Sequence, residues 1–223
     1  MKIHALVEGP SERAFLEPWA RRFLRGHELK AHPHQGKGRL VLADEPPAGV
    51  STGRGLLDQL PAKLAAFGRC LDPATDRVLV LVDADAEPCA ELLENLERLR
   101  CSIEPAPIVL FRIAIEELEA FYLGDLRALR RAYPSFDARD ARAYRPDSIC
   151  GTWELFGRVI GDPGGSKVAW AEAMGKVVTT RPQESRSPSF KKLCAGLQRI
   201  VAEARSSKAR RKRAERNVRT KRR

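Results

Sequence analysis

Residues 78–85 read Val78-Leu79-Val80-Leu81-Val82-Asp83-Ala84-Asp85, five consecutive apolar residues that stop at two acids. A short run that is apolar on both faces fits a strand buried on both sides, the habit of parallel sheets covered by helices. Working outward, Ile3-His4-Ala5-Leu6-Val7 is a second apolar run, ended by Glu8-Gly9-Pro10-Ser11, and residues 108–115 form a third, followed at once by Glu116, Glu117 and Glu119. Helical spacing fills the intervals. Phe15, Leu16, Trp19, Phe23 and Leu24 recur after the first strand, and stretches 56–67, 90–99 and 116–129 show the same period. Ser11 is the expected N-cap of the first helix.

Alternating strands and helices imply an α/β fold with a mostly parallel sheet and right-handed crossovers. Residues 28–55 resist this reading, because Pro33, Gly36, Gly38, Pro46, Pro47, Gly49, Gly53 and Gly55 interrupt any period; one short strand is expected near Leu40-Val41-Leu42. Beyond Tyr133 the pattern weakens, with helices expected at 152–160, 166–175 and 188–204. The expected organisation is a core over 1–133, a helical C-terminal part over 134–204 packed on it, and a basic tail without fixed structure over 205–223.

Composition sets the frame. A chain of 223 residues, 43% hydrophobic, can build one sizeable core. It has no apolar run long enough to span a bilayer and no signal-peptide pattern at Met1-Lys2-Ile3-His4, so a cytoplasmic protein with no membrane partner is expected. Five cysteines, odd in number and without a Cys-x-x-Cys pair, read as reduced structural thiols. Of the net charge of +11, the segment from Arg205 to Arg223 carries +10, with 11 Lys or Arg against one Glu, which leaves +1 on the other 204 residues. The tail, densest at Lys208, Arg210, Arg211, Lys212 and Arg213, is therefore the expected contact for nucleic-acid phosphates. The body must recognise its ligand by placed groups.

In an open α/β sheet, ligands sit outside the carboxyl ends of the strands. Three strands here end in acids: Glu8, the pair Asp83 and Asp85, and the group Glu116, Glu117 and Glu119. Carboxylates gathered at one edge repel, and burying them is costly unless a cation compensates. Mg²⁺ takes one or two carboxylates and leaves positions for substrate phosphate oxygens. Each acid also has a plainer reading. Glu8 could be a helix-entry charge, Asp-x-Asp is common in turns, and the run from Glu117 could be an amphipathic helix with solvated charges. Competing motifs fail: Gly161-Asp162-Pro163-Gly164-Gly165-Ser166-Lys167-Val168 lacks the Gly before Lys and the Ser or Thr after it that a P-loop needs. A haloacid-dehalogenase pattern would place its Asp-x-Asp on the first strand with a following Thr, whereas Ala86-Glu87 follows here. Gly-x-Ser-x-Gly is absent, and His32 and His34, flanking Pro33 in a presumed loop, read as surface residues.

The segments Leu6-Val7-Glu8-Gly9-Pro10-Ser11-Glu12, Val80-Leu81-Val82-Asp83-Ala84-Asp85 and Ile113 to Asp125, with Ser187-Pro188-Ser189-Phe190 near the end, resemble the TOPRIM-like bacterial domain-of-unknown-function family 4276. Phe121 stands where that pattern has Trp. The resemblance implies a TOPRIM/Rossmann-like fold and a Mg²⁺-dependent nuclease, with Mn²⁺ able to substitute. It implies that Glu8 acts as general acid or base, that Asp83 and Asp85 hold the metal with Glu8, and that Glu117 or Glu119 completes a second ion site. Lys167, Lys191 or Lys192 would offset charge on the scissile phosphate, Lys167 being preferred. The implied setting is an anti-phage system with an ATPase partner encoded nearby, and a homodimer is a further candidate assembly. The rival expectation is a catalytically silent adaptor that binds an ATPase and nucleic acid.

Overall fold

The computed structural model describes residues 1–40, 53–85, 87–148 and 151–221, with side chains through residue 206. The elements in chain order are β1 (Lys2–Val7), α1 (Pro10–Phe23), β2 (Glu28–Pro33), α2 (Leu56–Cys70), β3 (Asp76–Asp83), α3 (Cys89–Cys101), β4 (Val109–Ala114), α4 (Glu119–Leu123), α5 (Leu126–Ala132), α6 (Ala138–Ala143), α7 (Thr152–Ile160), α8 (Lys167–Val177) and α9 (Pro188–Lys221). The four strands form one parallel sheet in the order β2-β1-β3-β4.

The apolar run of β3 becomes the centre of the sheet because both of its faces are covered. Leu79 and Leu81 enter the larger core, with α1, α4, α7, α8 and α9, while Val78, Val80 and Val82 enter the smaller one, with α2 and α3. Asp83, two residues beyond Leu81, continues the face that looks toward α1. Aromatic rings carry much of the larger core: Phe15, Trp19, Phe121, Tyr122, Phe156 and Phe190 are all fully buried, each worth about 2 kcal/mol of transfer free energy. Helix α8 lies close along α1 because Gly175 has no side chain; a Cβ there would fall 2.6 Å from the Phe15 carbonyl oxygen. Trp19 Nε1 donates to the Thr179 carbonyl at 3.0 Å and fixes the same contact.

From β1 the chain goes outward to β2, then returns so that β3 lies on the other side of β1. The tips of β1 and β3 therefore flank the crevice where connections diverge. Glu8 and Asp83 stand at those two tips.

Several local expectations are corrected. The N-cap of α1 is Gly9, not Ser11, with Pro10 as the first helical residue, and the Gly9 N–H donates to Glu12 Oε2 at 2.7 Å. The stretch 116–129 is not one helix: Glu116 turns at a positive φ of 75°, α4 stops at Gly124, and Asp125 caps a separate α5. β2 was not anticipated, and His32, expected in a loop, is part of it. His34 is buried rather than on the surface, with Nδ1 2.7 Å from the Val7 carbonyl oxygen. Of the strand expected at 40–42, Leu40 is in irregular structure, and residues 41 and 42 lie outside the described residues. Helix α9 runs on to Lys221, but the side chains of Lys208, Arg210, Arg211, Lys212 and Arg213 lie outside the described ones.

Candidate active site

Because β1 and β3 are neighbours, residues separated by 75 positions meet: Glu8 Oε1 accepts the Asp83 backbone N–H at 2.8 Å. Both side chains are half-buried. Two more carboxylates approach from the helices on the same face. Glu12, in the first turn of α1, is 7% exposed, and its carboxylate accepts from the Gly9 N–H at 2.7 Å and the Ser11 hydroxyl at 3.2 Å. Glu119 opens α4 and is 3% exposed. One turn further on, Tyr122 is fully buried with a hydroxyl that has no hydrogen-bond partner among the described residues.

The acids destabilise each other's charged forms. Burial pushes Glu8 up to about 7; the Asp83 N–H opposes the shift, Glu12 and Asp85 add to it, and Lys37 counters. Burial likewise holds Asp83 well above the usual carboxylate range, with Glu8, Glu12, Glu119 and Asp85 all pushing the same way. Glu119 is raised to about 7, mainly by burial, while Lys167 pulls it back. The Tyr122 phenol is shifted well upward by burial and then by Glu119, Glu12 and Asp83, so it is a proton donor at any working pH. Neutral carboxyls or a bound cation can each relieve such repulsion.

Asp85 has a different place. Its backbone takes a positive φ of 52°, its side chain is 57% exposed, and Lys37 Nζ lies 3.2 Å from its Oδ2. The same ammonium reaches Glu87 Oε2 at 3.1 Å and the Ala84 carbonyl at 3.1 Å. Burial works against the Lys37 charge, but the bonds to Glu87 and Asp85 outweigh it and raise its pKa. Lys37 thus sets a positive charge at the Asp-x-Asp turn. The sequence offered no sign of it, since it stands in a loop between Gly36 and Gly38 with no periodic neighbours.

The acids after β4 have separate fates. Glu116, 3% exposed, accepts the Tyr144 hydroxyl at 2.6 Å. Glu117 accepts from Thr152 Oγ1 at 3.0 Å and from the Trp153 N–H at 2.9 Å, so it anchors the start of α7. Lys167 Nζ stands 3.8 Å from Glu117 Oε1 and 4.5 Å from the centre of the Trp153 ring. That places Lys167 at the edge of the acid group, whereas Lys191 and Lys192 are exposed on α9. The glycine-rich stretch before Lys167 is architectural: Gly161 ends α7 at a φ of +75°, and Ser166 Oγ accepts from the Ala169 N–H to cap α8.

A family profile described as "Domain of unknown function (DUF4276)" matches residues 7–198, from the tip of β1 to the first turns of α9. The chain belongs to the DUF4276 family. The matched span holds Glu8, Asp83, Asp85, Glu117, Glu119, Lys37 and Lys167, and leaves out the basic residues beyond it. No curated protein and no solved structure matches this DUF4276 chain.

Among the described residues, no group of three or more His, Cys, Asp or Glu side chains is arranged so that it could hold a metal ion. Glu8, Asp83 and Glu119 are nevertheless of the donor type that a hard divalent ion takes, carboxylates whose proton affinity burial raises. The Tyr122 hydroxyl, one turn from Glu119, is buried without a hydrogen-bond partner among the described residues.

Proposed function

We propose that this DUF4276 chain is a Mg²⁺-dependent phosphodiesterase of the TOPRIM type, with nucleic acid as substrate. The observation that carries the reading is the contact of the Glu8 carboxylate with the Asp83 backbone at the β1/β3 switch point, where Glu12, Glu119 and Asp85 add to the burial that raises the Asp83 proton affinity. Such a group costs stability when empty and charged, and the cost is recovered by a divalent cation. Asp83 would hold the ion directly and Glu8 through a water, with Asp85 joining from the turn and Glu119 from α4; Glu117, tied to α7, is better placed to hold Lys167. When bound, Mg²⁺ would polarise a phosphodiester and lower the cost of hydroxide attack.

The chain's own groups supply the rest. Glu8, facing the ion through a water instead of binding it directly, could take a proton from that water and return one to a leaving oxygen. Lys167 offers a positive charge beside Glu117 to a phosphate oxygen.

One observation favours a silent adaptor instead. Lys37 already supplies a cation to Asp85 and Glu87, as an internal substitute for a metal would. A plasmid- and RNA-cleavage assay in Mg²⁺ or Mn²⁺, with wild type and Asp83→Asn, separates the two. Metal-dependent cleavage lost in the variant supports the nuclease, and absent cleavage with no ion binding supports the adaptor. Repeating the assay with an ATPase encoded beside the gene tests the anti-phage setting.

A further inference from the structure

At the opposite end of α1 and α8 from the acids lies a cleft of about 500 Å³ lined by Arg22, Arg127, Arg130, Arg131 and Arg181, with Thr179 and Thr180 and only two carboxylates, Asp125 and Glu184. Its distance from the acids follows from helix geometry. Glu12 stands in the first turn of α1 and Arg22 in the last, ten residues on, a rise of about 15 Å. The cleft is therefore a separate feature of the surface.

Its charge is not balanced from within. Asp125 is committed to backbone, accepting from the Ala128 N–H at 2.9 Å and the Thr179 N–H at 2.8 Å. Glu184 accepts from the Thr179 hydroxyl at 2.8 Å and pairs with Arg181 at 3.2 Å. Arg22 and Arg131 each give a donor to the carboxyl end of α8, to the Gly175 and Val177 carbonyls, which accounts for one N–H of the five that each guanidinium carries. Proximity to Arg131 adds to the burial that lowers the Arg22 pKa. Arg127 and Arg130, both exposed on α5, form no ion pair within 4 Å among the described residues, although Arg127 acts on Glu184 at longer range. Five arginines facing two occupied carboxylates form a site for an anion with several oxygens, and the forked guanidinium is the side chain best matched to phosphate.

We propose that this arginine cleft is a phosphate-binding site that anchors the backbone of a nucleic acid. A polymer is favoured over a small phosphorylated ligand because a second basic feature begins at the same end. Helix α9 reaches it at Arg205, whose Nη2 is 3.3 Å from Nε2 of His27, just past α1, and the segment from Arg205 onward carries 11 of the chain's 40 basic residues. A cleft and a basic segment at one end form a track for consecutive phosphates. The site is distinct from the proposed nuclease centre and stands without it.

The test is fluorescence anisotropy of labelled single- and double-stranded oligonucleotides on the full chain, with divalent ions chelated so that the acids play no part, across a potassium chloride series. Arg127→Gln/Arg130→Gln changes two exposed side chains and should weaken binding at least tenfold near 0.1 M salt. It should also reduce the slope of log affinity against log salt by about two, since each lost phosphate contact removes about 0.9. Arg139→Gln/Arg142→Gln, which removes the same charge from exposed positions of α6, should leave affinity and slope near wild type. Wild-type binding by the α5 variant, or an equal loss in the α6 variant, overturns the proposal. So does stabilisation by free pyrophosphate that depends on Arg127 and Arg130 while oligonucleotide binding does not.

Discussion

The molecule buries aspartates in two ways. Around Asp125, a fully enclosed carboxylate is surrounded by donors: one oxygen caps α5 through the Ala128 N–H and the other takes the Thr179 N–H, joining α5 to the strap after α8. Asp147, half-buried beside α9, is likewise held by donors, accepting from the Ser189 N–H at 2.8 Å and from the Ser187 and Ser189 hydroxyls. Around Asp83 the nearest ionisable neighbours are other acids, Glu8, Glu12, Glu119 and Asp85. A carboxylate that spends its oxygens on backbone donors is architecture. One that spends its burial on other carboxylates leaves a demand for positive charge, and this difference separates a fold device from a candidate site within one molecule.

The comparison can be broken most forcefully at Asp125. Asp125→Ala leaves two enclosed N–H groups without acceptors and removes a helix cap, so unfolding free energy should fall by about 4 kcal/mol in urea denaturation. A loss under about 1 kcal/mol would place Asp125 and Asp83 in one class.

Next in size is a pH effect in the metal-free chain. Glu119 titrates near 7 when folded against an ordinary 4.5, so between those values the folded state holds a proton that the unfolded state has lost. Its stabilising contribution is present below pH 4.5 and is lost as pH rises through 7, a change of about 3 kcal/mol. Glu119→Gln should abolish that part of the pH dependence, and matching curves for the two proteins would contradict the assigned burial.

Asp83→Asn should sharpen the contrast by moving the other way from Asp125→Ala. Removing one of several repelling charges should raise the stability of the metal-free chain at pH 8 by about 1 kcal/mol. The smallest effect is expected at Lys37→Met, where loss of the competing ammonium should strengthen divalent-ion binding about threefold, or about 0.6 kcal/mol, provided that Asp85 turns toward the ion.

The sheet was legible because β1, β3 and β4 are covered on both faces and therefore read as mostly apolar runs, interrupted by His4 in β1 and Arg112 in β4. β2 was not, because it is an edge strand in which only Ala31 is buried, and Glu28-Leu29-Lys30-Ala31-His32-Pro33 shows no clean alternation. The break between α4 and α5 was hidden for the opposite reason: Leu118, Phe121, Leu123 and Leu129 keep a helical apolar spacing across Gly124 and Asp125, although the chain turns there to meet Thr179. Glu8, Asp83 and Glu119 could be grouped from sequence since acids at parallel strand ends share an edge. Lys37 and the arginine cleft could not, because their neighbours come from loops and from the ends of four separate helical segments.

The most direct measurement is Mn²⁺ binding at pH 8, followed by electron paramagnetic resonance on wild type, Asp83→Asn and Asp85→Asn, with proton release recorded at pH 6.5. Wild type should bind the ion with release of at least part of one proton, because Glu8 and Glu119 are partly protonated at that pH. Asp83→Asn should bind at least tenfold more weakly while remaining folded. Equal binding by wild type and Asp83→Asn, or no binding by a folded wild type, would contradict the assignment of the strand-tip acids as a cation site.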